Sequence, residues 1–178
     1  SLTSVFCVIW LAATLAGYSE RIWTSGILWF IVVFAGYAFT YPASNFTEAS
    51  FSVLALVYPV MLFSYLYFLR ELPQGFLWCV YVFATVWITD TGAYFVGITL
   101  GKKKLAPRVS PNKSVEGAVG GLISATLLGA LFWAWTGMGT LPVILALSLL
   151  TSTVSQVGDL FESALKRAAE IKDSGSLI

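Results

Sequence analysis

The sequence predicts an all-α protein: a polytopic bundle of transmembrane helices with about six spans and both chain ends on the cytoplasmic side. Three observations carry that expectation. Of 178 residues, 58% are hydrophobic and only 11% are charged, whereas soluble domains carry about 25% charged residues. Apolar runs near the roughly 17 to 25 residues needed to cross a bilayer recur along the chain. The basic residues, finally, are concentrated in alternate gaps between those runs.

Taken in order, the predicted spans are Leu2 to Tyr18, Trp23 to Tyr41, Phe51 to Leu69, Gly75 to Ile98, Gly117 to Trp135 and Leu141 to Val157. Trp23, Tyr41, Trp78 and Trp135 fall near span ends, where amphipathic rings settle at the headgroup level. Residues 1–74 form an N-terminal group of membrane helices, and residues 75–178 a second region that holds a basic loop at 99–116. The opening SLTSVF has no basic n-region, so no signal peptide is expected there. With six spans, Lys102, Lys103, Lys104, Arg108, Lys113, Lys166, Arg167 and Lys172 share one side, and only Arg21 and Arg70 lie on the other. The positive-inside rule makes the first side cytoplasmic. The sequon Asn45-Phe46-Thr47 would then face inward and is read as chance.

Composition also removes whole classes of chemistry. There is no histidine, which excludes imidazole catalysis and His-ligated zinc within these residues. A net charge of +1 gives no reason to expect nucleic acid as a partner. Cys7 and Cys79 lie in apolar runs without CxxC spacing and are expected to be small buried hydrophobes. Carboxylates, hydroxyls, lysines and arginines are left to act.

Asp90 ends an uncharged run, FLWCVYVFATVWITD, and an ionised carboxylate at membrane depth needs water, a partner or a metal. It is expected to complete a cation site or to meet a basic residue such as Lys113 or Lys166. On the last span, Asp159, Glu162, Ser163 and Lys166 follow at i, i+3, i+4 and i+7, one helical face. Oxygen ligands with an adjacent ammonium suit a divalent cation and the phosphates it carries. The same face is equally consistent with a solvated helix end held by i,i+4 pairs.

The loop GKKKLAPRVSPNKSVEG concentrates five of the ten basic residues. Such a loop attracts anionic headgroups. Its SPNKS segment, with Ser110, Asn112, Lys113 and Ser114, reads as a turn before a helix start that presents backbone N–H groups to a phosphate. It lacks the Walker A spacing. Gly117, Gly121, Ala125 and Gly129 then recur every four residues, a stripe that lets another helix approach closely.

Three strings, DTGAYFVG, KLAPRVSPNKSVEGAVGG and GDLFESALKRAAEIKDSGSLI, resemble the phosphatidate cytidylyltransferase (CDP-diacylglycerol synthase) family of integral membrane enzymes, bacterial in style. The likeness covers about Trp87 to Ile178, and residues 155–178 carry part of the family signature S-x-x-K-R-x-x-x-x-K-D. It implies a nucleotidyl transfer in phospholipid biosynthesis, in which CTP and phosphatidate give CDP-diacylglycerol and pyrophosphate. The implied cofactor is Mg²⁺, with a second cation left open. Asp159, Lys166, Asp173 and Asp90 are the expected catalytic residues, Asp159 and Glu162 the expected metal ligands. Arg108, Ser110, Asn112, Lys113, Ser163, Arg167 and Lys172 are the expected substrate contacts. The implied setting is the bacterial inner membrane with the site facing the cytoplasm, and a homodimer through small-residue helix faces is a further expectation. In the family the signature runs on into His-Gly-Gly and Asp-Arg-x-x-Asp, so this chain is expected to hold part of the metal site. A secondary transporter and a CTP-dependent lipid kinase are the alternatives.

Overall fold

The computed structural model describes residues 2–15, 19–40, 46–55, 58, 60 and 62–168. The elements are α1 (Leu2–Leu15), α2 (Ser19–Thr40), α3 (Phe46–Ala55), α4 (Leu62–Glu71), α5 (Gly75–Leu100), β1 (Lys104–Ala106), β2 (Ser110–Ser114), α6 (Val115–Thr136) and α7 (Leu141–Ala168). The all-α expectation holds apart from one short antiparallel hairpin. Among the described residues, α5, α6 and α7 are long and apolar enough to cross a membrane. Their 26, 22 and 28 residues correspond to about 39, 33 and 42 Å at 1.5 Å per residue, against a hydrocarbon core of about 30 Å. The predicted third span falls on α3 and α4, each of ten residues, and its middle lies partly outside the described residues.

The chain divides into two compact units, Ser1–Cys79 and Val80–Ile178. In the first, Trp10, Trp29 and Val60 are buried, with Phe6, Cys7, Val33 and Phe68 packed around them. Phe6 stacks on Trp29 with centroids 4.3 Å apart. The Trp10 indole N–H donates to Ser64 Oγ at 3.1 Å, and that hydroxyl donates to the Val60 carbonyl at 2.9 Å. A buried indole needs such an acceptor where no water competes for it. Cys7 and Cys79 are both free and half-buried, as their apolar surroundings lead one to expect.

The second unit is built on close backbone approach. A Cβ added at Gly117 would stand 2.7 Å from the Ala93 carbonyl oxygen, and one at Gly121 2.9 Å from that of Thr89. Farther along α6, a Cβ at Gly129 would meet Ser148 Oγ of α7 at 2.0 Å. The small-residue stripe is thus occupied by α5 and α7 of the same chain. The homodimer expected through small-residue helix faces is not shown.

Buried hydroxyls complete this packing by bonding back to the preceding turn. Thr85 donates to the Tyr81 carbonyl and Thr89 to that of Thr85, each at 2.7 Å, and Ser148 donates to that of Ile144 at 2.9 Å. In hydrocarbon every polar group must find its partner within the protein, and i−4 bonding meets that need without widening the interface. Tyr81 ties α5 to α7, its hydroxyl 3.1 Å from the Ile144 carbonyl and 2.7 Å from Ser148 Oγ. The outward faces carry Trp87, Leu131, Trp135 and Val154, all exposed, as lipid contact requires.

Candidate active site

The basic loop between α5 and α6 is an ordered hairpin. Residues 106–109 make its turn, closed by Val109 N–H to the Ala106 carbonyl at 3.1 Å, and Pro107 sits at the position where its fixed φ suits a turn. Lys104 pairs with Ser114 and Ala106 with Ser110, with an irregular register between the two pairs. The segment SPNKS is therefore strand β2, a correction to the turn expected for it. Without β-branched residues or apolar alternation, its strand character comes from the partner strand and from the residues that anchor the loop's base.

Those anchors are Ser114 and Glu116. Ser114 is the N-cap of α6 in an extended conformation, and its Oγ accepts the Gly117 N–H at 3.1 Å, satisfying one of the free donors at a helix start. The Glu116 carboxylate accepts the Lys102 N–H at 3.0 Å and the Lys103 N–H at 3.2 Å. The Val115 N–H donates to the Lys103 carbonyl at 2.8 Å. Together these bonds fix the hairpin against the end of α5 and the start of α6.

Under the hairpin opens a cavity of about 590 Å³. One face of α5 supplies Asp90, Ala93, Tyr94, Gly97 and Ile98, spaced i, i+3, i+4, i+7 and i+8 as a single helical stripe. The hairpin supplies Lys104, Leu105, Asn112, Lys113 and Ser114, the start of α6 Gly117 and Ala118, and α7 Gln156 and Asp159. Eight residues separate Asp90 from Ile98, so the cavity runs about 12 Å along that helix. Lysines reach the cavity from the hairpin, and carboxylates from α5 and α7.

There the Lys113 ammonium binds Asp159 Oδ2, and Asp90 lines the same cavity. Gln156 donates through Nε2 to the Ala118 carbonyl at 3.3 Å and to Ser152 Oγ at 3.4 Å, which leaves its carbonyl oxygen to accept. Two carboxylates with amide oxygens beside them are a donor set suited to Mg²⁺, which binds through one or two carboxylates and completes its shell with water and phosphate oxygens. Among the described residues no three His, Cys, Asp or Glu cluster as a complete metal cage.

Of the residues the sequence singles out, Asp90, Asn112, Lys113 and Asp159 come together on this cavity. Glu162 and Lys166 do not line it; they pair with each other at 2.7 Å across one helical turn. Ser163 is half-buried on α7. Arg108 is exposed in the hairpin turn and Ser110 half-buried at the start of β2. Arg167 donates to the Val109 carbonyl at 3.4 Å, joining the end of α7 to the hairpin. Lys172 and Asp173 lie outside the described residues. Sequence reasoning missed Gln156 and Tyr94. The signal for Gln156 was its place three residues before Asp159, at the polar end of its span; Tyr94 gave none beyond its spacing from Asp90.

The sequence profile of the Cytidylyltransferase family matches residues 1–178. The chain is 44% identical over 139 residues to the phosphatidate cytidylyltransferase of Bacillus subtilis, a stretch covering 75% of this chain and 51% of that protein. It is 38% identical over 135 residues to the protein of the same name from Staphylococcus saprophyticus, and 36% identical over 135 residues to that from Staphylococcus haemolyticus, again covering 75% of this chain and 51% of each relative. The chain spans about half the length of these curated relatives.

Proposed function

The chain belongs to the Cytidylyltransferase family, and on that premise we propose that it contributes to an integral membrane enzyme converting CTP and phosphatidate to CDP-diacylglycerol and pyrophosphate. The observation that carries the reading is the convergence of Asp90, Lys113 and Asp159 on one cavity beneath a basic hairpin. In the reaction a phosphatidate phosphate oxygen forms a bond to the α-phosphorus of CTP while the bond to the bridging oxygen of pyrophosphate breaks. Phosphoryl-group chemistry of this kind asks for positioning and charge neutralisation more than for proton transfer, and a site without histidine is adequate for it.

In this reading Asp159 and Asp90 hold a Mg²⁺ ion, which supplies Lewis-acid stabilisation of charge on the phosphates. Lys113 and Asn112 bind phosphate oxygens from the hairpin side, and Lys104 attracts the anionic substrates to the mouth. Arg108, Ser110, Ser163, Lys166, Arg167, Lys172 and Asp173 form an outer set of nucleotide and phosphate contacts. The cavity faces the cytoplasm of the bacterial inner membrane, and both chain ends share that side; the eight-to-two distribution of Lys and Arg supports this. Lys103→Cys, in a Cys7→Ser, Cys79→Ser background, should be shielded from an impermeant thiol reagent in intact cells, and labelling from outside would overturn the orientation.

CTP labelled at the α- or the γ-phosphate tests the reaction in the full-length protein. Label entering lipid from the α-phosphate alone supports cytidylyl transfer, entry from the γ-phosphate means a kinase, and entry from neither removes the enzyme reading. Asp159→Ala should abolish α-label transfer at any Mg²⁺ concentration, whereas Lys166→Ala should retain cation binding and lose nucleotide affinity.

A further inference from the structure

Lys113 and Asp159 are separated by 46 positions in sequence and pair directly on the cavity. Asp90 lines the same cavity and brings the second carboxylate to it. Two carboxylates and two ammonium groups therefore line one cavity, and of the two lysines it is Lys113 that bonds a carboxylate there. We infer that Lys113 is a tethered stand-in for the cation, holding the carboxylate end of the site together until a divalent cation displaces it, and then turning its charge to the incoming phosphates. The inference rests on the reading of Asp159 as a cation ligand and extends it to how the site is kept before loading.

The physical case is one of charge. Two carboxylates on one cavity repel, and partial burial reduces the screening of that repulsion without removing it. With the ammonium bound to Asp159, the two carboxylates still outnumber it by one negative charge. Replacing the ammonium by a divalent cation leaves the carboxylates neutral and frees one positive charge, at the moment when a polyphosphate needs it. The exchange requires no movement of the loop. Lys113 lies on β2, whose base is fixed by Ser114 and by the Glu116 bonds to the Lys102 and Lys103 N–H groups. A lysine side chain, with four rotatable bonds and a compact head, can change partner while its backbone stays in place.

The consequence is competition. Lys113 and the cation cannot both occupy Asp159 Oδ2, so removing the ammonium should tighten cation binding in the absence of nucleotide. The side chains of Lys113 and Asp159 are 29% and 48% exposed, so the pair is partly screened and the gain should be modest, about fivefold. Lys104 lines the same cavity and contributes the same charge without bonding Asp159, which makes it the control for bulk electrostatics.

Binding of Mn²⁺ alone to the full-length protein, followed by the paramagnetic signal of the free ion, tests this without turnover. Lys113→Met should bind Mn²⁺ about fivefold tighter than wild type, Lys104→Met within twofold of it, and Lys113→Arg no tighter than wild type. Pyrophosphate with Mn²⁺ present should bind Lys113→Met more weakly. Loss of Mn²⁺ binding in Asp159→Asn with no gain in Lys113→Met sinks the stand-in role and leaves the cation reading intact. Unchanged Mn²⁺ binding in Asp159→Asn removes both. An equal gain in Lys104→Met also overturns the inference, because it reduces the effect to general charge. If Lys113→Met does not fold, Lys113→Arg decides: tighter Mn²⁺ binding in that variant contradicts the competition.

Discussion

Each of the two compact units fills its interior with a different kind of material. In Ser1–Cys79 the space between helices is taken up by rings: Phe6 on Trp29, and Trp10 anchored to Ser64. In Val80–Ile178 a few large side chains, Tyr81, Phe132 and Ile144, are buried, but along much of α6 glycines bring one backbone against the next and hydroxyls fold back on their own helices. Large side chains adapt through rotamer changes and tolerate substitution by other large apolar groups. Backbone against backbone has no such freedom. The unit that carries the cavity is the one whose helix spacing is set by the main chain, and a site that must hold two carboxylates and an ammonium in register gains from that rigidity.

The largest effect that tests this contrast is on turnover. Asp90→Asn in the full-length protein should lower the rate by about a hundredfold or more, about 2.7 kcal/mol of barrier, while the protein still folds. Glu71→Gln, at the end of α4 in the other unit, should stay within twofold of wild type. Wild-type turnover in Asp90→Asn would leave that carboxylate without a role, since an idle charge at membrane depth is costly.

Next in size is a single methyl group. Gly121→Ala places a carbon 2.9 Å from the Thr89 carbonyl oxygen, and main chain cannot rotate away, so a loss of about 1 to 3 kcal/mol is expected with activity falling alongside. Thermal unfolding in lipid nanodiscs measures the first and CTP turnover the second. A smaller loss, about 1 to 1.5 kcal/mol, should follow Tyr81→Phe, which removes the hydroxyl bonded to Ile144 and Ser148. Smallest, and opposite in sign, is Gly36→Ala in α2, where nothing lies within 4 Å of the added carbon; the better helix propensity of alanine should raise stability by less than about 1 kcal/mol. If Gly121→Ala and Gly36→Ala behave alike, the contrast between the units fails.

Much of the second unit is legible in the sequence because its signals are local. Leu141 begins its helix where the apolar run begins, and α6 starts two residues before Gly117 because Ser114 caps it. Asp90 and Asp159 stand out as charges that an apolar run cannot absorb. What the sequence conceals is pairing across distance. The bond between Lys113 and Asp159 and the entry of Gln156 into the cavity each depend on which element faces which, whereas the i,i+4 pair of Glu162 and Lys166 is local and was open from the spacing. The hairpin was hidden for a related reason: β2 becomes a strand through β1 and Glu116, and neither leaves a periodic trace in SPNKS.

Glu116 takes its hydrogen bonds from main-chain N–H groups, and this says something about which substitutions the loop will accept. At positions 102 and 103 the fold asks first for a donor that every residue except proline provides, and the Lys102 charge adds only a lesser attraction to Glu116. The two lysines are therefore free to answer to whatever lies outside the hairpin. Polar or acidic replacements there should leave the hairpin intact while changing how it meets a charged surface, whereas proline at either position should release Glu116 and the loop together. In drift over many generations, identity at these positions would track the membrane's charge, and only the exclusion of proline would record the structure.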